Sequence, residues 1–159
     1  MSTTTYRNRN RSAASKAEAA EKRSAEIKDL KERLAAYQET TAPELIAAAL
    51  ASHDGYSDRN AMLIALQCPT ATDVTGFTDW NERGRAVRPG EHGIRIIRPN
   101  GTYTAGKGTD QEEERPRFSA CSVFDISQTW TIEEAAAAFT AEGKQLPPAW
   151  PPARYRPLA

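Results

Sequence analysis

The residues best suited to chemistry lie between positions 77 and 98, where aromatic and basic side chains follow one another closely. A short segment with Phe77 and Trp80 precedes a glycine-punctuated segment that is rich in arginine. The arginines of this second segment are Arg83, Arg85, Arg88, Arg95 and Arg98. Guanidinium groups neutralise phosphates and aromatic faces stack on bases, so this pattern is typical of a surface that binds single-stranded nucleic acid.

The charge balance of the whole chain limits the size of such a surface. The 21 lysines and arginines are matched by 21 aspartates and glutamates, which excludes a protein that coats nucleic acid by bulk charge. Between positions 83 and 98 the five arginines meet one acid, Glu91, but an acidic run follows at positions 110–114. The sequence therefore predicts a narrow basic track and no broad basic face.

Signals for catalysis, cofactors or membrane insertion are weak. Cys68 and Cys121 lack the paired spacing of a disulfide framework or a zinc site, and we expect both to be buried thiols in a reducing cytoplasm. No clustered carboxylates indicate a metal-dependent nuclease, and no apolar run approaches the roughly 18 residues of a membrane span. We expect a cytoplasmic protein without enzymatic activity, without a cofactor and without membrane contact.

The elements around this block predict a small α+β domain, with N-terminal helices packed on an antiparallel sheet of about three or more strands and with a C-terminal helix. Helices are predicted over about 15–37, from Pro43 to about Ser52, between Ser57 and Pro69, between Thr75 and Gly84, and from Thr131 to before Gly143. Strands are predicted over 85–87 and 94–98, paired across a Pro89–Gly90 turn, and over 117–124.

The composition divides the chain into three parts. Residues 1–40 are expected to form a basic arm and an amphipathic helix, residues 41–143 the folded domain, and residues 144–159 an extended proline-rich tail. The helix carries a narrow apolar seam, which consists of Ile27, Leu30, Leu34 and Tyr37. Because the seam is short, docking of this helix on the domain is favoured over a coiled-coil dimer.

The central block resembles the N-terminal, single-stranded-DNA-binding domain of ArdC-type antirestriction proteins. The residues that carry the resemblance are Tyr56-Ser57, Asn60, Leu63-Ile64, Gln67, Gly76-Phe77, Trp80, Gly84-Arg85, Val87, Gly90-Glu91, Gly93-Ile94, Ile96, Phe124-Asp125 and Ser127-Gln128-Thr129. They cover residues 53–129, about half of the chain. The resemblance implies sequence-tolerant binding of single-stranded DNA in plasmids, phages or other mobile elements, or a role in antirestriction.

The chain departs from full-length members of that family in its histidines. Such proteins usually add a metallopeptidase domain with an HExxH helix, which places two imidazoles and a carboxylate on one face. This chain contains only His53 and His92, in no such motif. The resemblance therefore implies DNA binding without peptidase activity.

Base stacking is assigned to two aromatic residues. We expect Trp80 or Tyr103 to stack on a base, with Lys107 beside Tyr103 in a glycine-rich loop. Phe77 is expected in the core, since aromatics at helical spacing are usually buried. The arginines would neutralise phosphates along the same track.

The remaining polar candidates have structural alternatives. Arg59 and Asn60 open a predicted helix, where free backbone N–H groups favour a phosphate, although capping by Ser57 is a simpler role. Gln128 could bind a base edge or could tie its segment to a neighbouring backbone. The predicted DNA-binding residues are Arg59, Asn60, Trp80, Arg83, Arg85, Arg88, Arg95, Arg98, Tyr103, Lys107 and Gln128.

An alternative hypothesis is a protein-interaction module. In that interpretation the seam of the N-terminal helix and the proline-rich tail recruit a protein partner, and the domain serves only as a scaffold. A salt-dependent affinity for an oligonucleotide would separate the two hypotheses.

Overall fold

The computed structural model of the protein describes residues 13–143, and the basic arm and the proline-rich tail lie outside them. The helices are α1 (Ala13–Thr40), α2 (Pro43–Ser52), α3 (Asp58–Gln67), α4 (Phe77–Glu82) and α5 (Ile132–Ala141). The strands are β1 (Val74–Gly76), β2 (Arg85–Val87), β3 (Ile94–Ala105), β4 (Glu113–Asp125) and β5 (Thr129–Thr131), with a short 3-10 helix at Ile126–Gln128. The predicted α+β class is confirmed.

Local side chains begin two of the helices as the sequence predicts. The Asn60 N–H donates to Ser57 Oγ at 3.2 Å at the start of α3. At the start of α5, Thr131 and Glu134 form a reciprocal capping box, in which each side chain accepts a hydrogen bond from the other residue's backbone N–H. These caps satisfy N–H groups that have no partner inside the helix.

A three-stranded antiparallel sheet in the order β1-β4-β3 forms the centre of the domain, and β2 pairs with β5 in a separate ladder. β3 and β4 form a long hairpin, in which Arg95 lies opposite Ser122 and Ile97 lies opposite Ala120. The register shifts between residues 99 and 102. Strand pairing in the half of the hairpin next to its turn, the distal half, is therefore offset from the pairing in the half that contains Ile94 to Pro99, the proximal half.

One predicted strand pairing is wrong. Residues 85–87 and 94–98 were expected to pair with each other across the Pro89–Gly90 turn. Instead, β2 pairs with β5 and β3 pairs with β4. The two strands separate because the isoleucines of β3 belong to the main core, whereas Ala86 of β2 packs against Ile132 in a small cluster of its own.

The central sheet is covered on both faces. One cluster consists of Ile64, Ala71, Val74, Ile94, Ile96 and Val123. The other consists of Leu30, Leu34, Met62, Leu63 and Ile97. Successive strand residues point to opposite faces, which explains why Ile96 and Ile97 belong to different clusters. Helix α1 therefore docks on the sheet through its apolar seam, with Leu30 and Leu34 buried and Ile27 and Tyr37 partly buried against the same cluster.

Helix α3 covers the outer edge of β3 with two side-chain amides. Asn60 Nδ2 donates to the Ile97 carbonyl at 2.9 Å, and the Ile97 N–H donates to Asn60 Oδ1 at 3.0 Å. Two helical turns later, Gln67 repeats this exchange with the backbone of Arg95, at 2.8 and 2.9 Å. The amides thus satisfy the outward backbone groups of an edge strand, and they fix α3 against it.

A buried carboxylate joins the end of β4 to the segment before β1. Asp125 accepts hydrogen bonds from the backbone N–H groups of Thr72 at 2.9 Å, Asp73 at 3.1 Å and Ser127 at 3.0 Å. Burial acts to raise the pKa of Asp125, but the hydrogen bonds from Ser127 and the other donors outweigh it and lower the pKa. The charged form therefore holds this corner together.

Candidate nucleic-acid interface

The arginine segment is largely engaged within the protein. Its ion pairs join Arg83 to Asp73 at 2.6 Å, Arg88 to Glu91 at 3.0 Å and Arg95 to Glu26 at 2.6 Å. Arg85 Nε donates to Thr129 Oγ1 at 2.7 Å. Arg98 differs from these four, since its exposed side chain forms no hydrogen bond or ion pair within residues 13–143. The segment is therefore not a row of free guanidinium groups.

The ion pairs of this segment are intact at neutral pH. The hydrogen bond from Arg83 lowers the pKa of Asp73, and the hydrogen bond from Arg88 lowers the pKa of Glu91. Both carboxylates consequently remain ionised. An arginine of such a pair has to leave a carboxylate before it can neutralise a phosphate.

The two aromatic residues of α4 occupy the opposite positions from those expected. Trp80 is 0% exposed, and its Nε1 donates to the Phe124 carbonyl at 2.8 Å, while Arg83 covers the ring at 4.3 Å. Phe77 is 49% exposed and meets the ring of Phe124 edge-on. The predictions of a base-stacking Trp80 and a core Phe77 are wrong. Trp80 is buried with its indole N–H satisfied by a carbonyl of β4, whereas Phe77, the first residue of α4, is about half exposed.

Two polar candidates act inside the fold. Both amide atoms of Asn60 bind the backbone of Ile97, as described above. Gln128 Oε1 accepts from the Asp125 N–H at 3.0 Å, and its Nε2 donates to the His92 carbonyl at 2.7 Å. For Gln128 this is the structural alternative considered from the sequence, a tie to a neighbouring backbone, whereas the binding of Asn60 to β3 was not predicted.

A groove of about 950 Å³ lies between α1 and the β3–β4 hairpin, and we call it the α1 groove. Helix α1 lines it with two rows of residues spaced four apart: Ala20, Ser24, Lys28 and Glu32, and Arg23, Ile27, Lys31 and Ala35. The hairpin lines it with Asn100, Tyr103, Pro116, Arg117, Phe118 and Ser119. Residues four apart share one side of a helix, so α1 presents a continuous wall.

The charges of the α1 groove are mostly positive. Its cationic residues are Arg23, Lys28, Lys31 and Arg117, and Glu32 is its one carboxylate. None of the four cations forms an ion pair within the described part of the chain. The other acids of α1 do not line the groove. A helix of balanced composition thus presents a basic side to the hairpin.

Several residues predicted from the sequence lie in or near the α1 groove. Tyr103 is 42% exposed and lines it, with Arg117 over its ring. Arg59 lies over the ring of Phe118, which also lines the groove. Lys107 is exposed in the turn between β3 and β4.

Sequence reasoning missed the cations of α1. A signal for them existed, because Arg23 and Lys31 share a row with the seam residue Ile27 at a spacing of four. This row shares Ile27 with the seam and runs along its side. Because the seam docks on the sheet, the basic residues of the row lie beside the sheet. Phe118 falls in the predicted strand over 117–124 but was not among the predicted binding residues.

Comparison with known families decides the relationship of this chain. A family model described as the N-terminal domain of anti-restriction factor ArdC matches residues 14–124. The chain belongs to this family. The match begins at the start of α1 and includes the entire α1 groove, so the groove is a feature of the ArdC N-terminal domain in this chain. The family resemblance inferred from the sequence is confirmed.

A solved structure is also similar to this ArdC N-terminal domain. The metal-free crystal structure of antirestriction ArdC protein from the R388 plasmid is 18% identical, with a TM-score of 0.38. The similarity covers 55% of this chain and 40% of the R388 protein, so the chain corresponds to less than half of that protein. None of the curated proteins matches the chain.

Within residues 13–143, no three histidine, cysteine, aspartate or glutamate side chains are grouped so that they could hold a metal ion. Among the same residues, no helix is both long and apolar enough to cross a membrane.

Proposed function

We propose that this domain binds single-stranded DNA with little sequence preference, and that the α1 groove is its binding surface. The observation that carries the proposal is the juxtaposition of four cations, which are unpaired within residues 13–143, with two aromatic side chains in one groove. Phosphates provide the charge that such cations attract, and unpaired bases provide the faces that aromatic rings stack on.

The proposed binding mode assigns a chemical role to each wall of the groove. Lys28, Lys31 and Arg23 of α1 neutralise phosphates, and Tyr103 and Phe118 of the hairpin stack on bases. A duplex buries its bases in the stack and cannot supply both contacts at once. This mode therefore favours single strands over double strands.

The remaining predicted residues have secondary roles in this proposal. Arg98 and Lys107 are exposed near the hairpin and extend the attraction for phosphates beyond the groove. The arginines that are paired with carboxylates chiefly support the fold, and phosphate contact by them stays a prediction. Sequence tolerance follows because phosphates and base faces are common to all nucleotides.

The family name suggests the biological setting. We propose that the domain acts on the DNA of a plasmid or phage in the cytoplasm, in antirestriction or in DNA transfer, without catalysing a reaction. In support of this, the family model that matches residues 14–124 describes a domain of an anti-restriction factor.

A salt titration of oligonucleotide binding tests the proposal. The anisotropy of a labelled oligothymidine of about 20 nucleotides is measured with increasing salt. Each neutralised phosphate of a single strand contributes about −0.7 to the slope of log affinity against log salt, so the three cations of the α1 wall predict a slope of about −2. An unlabelled single strand should compete better than a duplex of the same length.

A matched pair of charge reversals places the site. Lys31→Glu, in the groove wall, should lower the magnitude of the slope by about 0.7 and weaken binding about tenfold at low salt. Lys22→Glu makes the same change on α1 at an exposed residue that is paired with Glu18 and does not line the groove. Equal effects of both changes would refute the groove as the site, and absence of binding at low salt would refute DNA binding itself.

A further inference from the structure

Each aromatic side chain of the α1 groove has a guanidinium over its ring. Arg59 Cζ lies 5.6 Å from the centroid of the Phe118 ring, and Arg117 Cζ lies 6.0 Å from the centroid of the Tyr103 ring. Neither arginine forms an ion pair or a hydrogen bond to a side chain or carbonyl within residues 13–143. Their recorded contact in this part of the chain is therefore with an aromatic ring.

The fold positions Arg59 from two sides. Ser57 caps the start of α3, and Asn60, the next residue after Arg59, binds both backbone groups of Ile97. This anchors the first turn of α3 at the edge of β3. Phe118 belongs to the neighbouring strand and packs on the core cluster that contains Ile97, so the side chain of Arg59 reaches its ring.

We propose that Arg59 and Arg117 are positioning residues, each of which supports one face of an aromatic ring while the other face stacks on a base. This inference rests on the proposed function. A cation over a ring is attracted by its negative face, and a planar guanidinium can also stack on the ring. The ring is thereby held in one orientation before DNA arrives, which reduces the entropy lost on binding.

The role of Arg59 differs measurably from that of a residue that neutralises a phosphate. Loss of a phosphate contact lowers both the affinity and the magnitude of the salt slope, by about 0.7 for a single strand. Loss of a ring support lowers the affinity but leaves the slope unchanged, because no counterion is released at that position. The two roles can therefore be separated without a structure of the complex.

The experiment measures oligothymidine affinity and salt slope for Arg59→Met alone and in a Phe118→Leu background. Arg59→Met should weaken binding about threefold with an unchanged slope, and it should have no further effect once Phe118 is replaced. An oligonucleotide that contains 2-aminopurine reports stacking directly, and its fluorescence should be quenched less by the Arg59→Met variant than by the unmodified protein.

A second double-mutant cycle combines Arg117→Met with Tyr103→Leu in the same way. These residues are at an exposed position of the hairpin, where a loss of folding is not expected. A slope that falls by about 0.7 in either arginine variant, or a full effect of Arg59→Met in the Phe118→Leu background, would overturn the inference and leave the proposed function intact. If the unmodified protein does not bind the oligonucleotide at low salt, the proposed function fails and the inference fails with it.

Discussion

Replacement of Asn60 by leucine should destabilise the domain strongly, although Asn60 contributes only a side-chain amide. This amide exchanges two hydrogen bonds with the backbone of Ile97, at 2.9 and 3.0 Å, and all the atoms concerned are buried. Leucine has a similar volume but leaves the Ile97 N–H and carbonyl without partners. An unsatisfied buried group costs about 1 to 3 kcal/mol, so the two together should lower the free energy of unfolding by about 2 to 6 kcal/mol.

The measurement is urea denaturation at neutral pH, followed by tryptophan fluorescence. Trp80 is fully buried in the described domain, so its emission should report loss of the core. For a domain of ordinary stability, a loss of about 2 to 6 kcal/mol removes a large fraction of the total. The midpoint should fall to a markedly lower urea concentration without a change in the slope of the transition.

Asn100→Leu is the matched control, since Asn100 is exposed and its side chain forms no hydrogen bond within residues 13–143. It should change the free energy of unfolding by no more than about 0.5 kcal/mol. Gln67→Leu removes the second amide exchange. Its loss in free energy of unfolding should therefore resemble that of Asn60→Leu and not that of the control. If Asn60→Leu were no more destabilising than the control, the view that α3 completes the edge of β3 would be wrong.

Three further changes probe other parts of the fold. Gly93→Ala should lower the free energy of unfolding, measured by urea denaturation, by about 1 to 3 kcal/mol, because the added Cβ would lie 2.5 Å from Ser122 Cβ. In the control Gly55→Ala the added Cβ meets no atom within 4 Å, so this change should be nearly neutral. Trp80→Phe removes the hydrogen bond to a carbonyl of β4 and should lower the thermal midpoint, at a cost of about 1 to 3 kcal/mol. The pKa of Asp125 is lowered on folding, so its contribution is present above the ordinary carboxyl value of 3.8 and is lost as pH falls through the lower folded value. Asp125→Asn should accordingly be less stable at pH 7, and its stability should vary less with pH below about 4; equal pH profiles for the two proteins would contradict this.

Signals that act over a few residues were sufficient to predict the helices. Ser57 and Thr131 cap the helices that follow them, and the seam of α1 follows from its period. The amides of Asn60 and Gln67 were visible at a spacing of seven, which places them on one helix face. Their partners could not be inferred, because the backbone groups that they bind belong to a strand about 30 residues away.

Contacts between distant segments account for what the sequence did not predict. The partner of Arg95 is Glu26, which lies 69 residues earlier, so local charge counting had assigned this arginine to an open track. The α1 groove combines residues 20–35, which contain three of its four cations, with residues 100–119, which contain both of its aromatic rings. Trp80 and Phe77 have similar local patterns, and the partner that satisfies the buried indole N–H of Trp80 is a carbonyl of a strand 44 residues away.

The covering of β3 by α3 also affects the tendency of the protein to self-associate at high concentration. An uncovered strand edge is a template on which a second chain can form a new strand, and this is a common route to aggregation. The amides of Asn60 and Gln67 occupy the proximal half of that edge as a neighbouring strand would. A chain in which α3 detaches would therefore lose stability and at the same time expose an edge strand that can pair with a second chain. The protein concentration would determine whether such a chain refolds or self-associates.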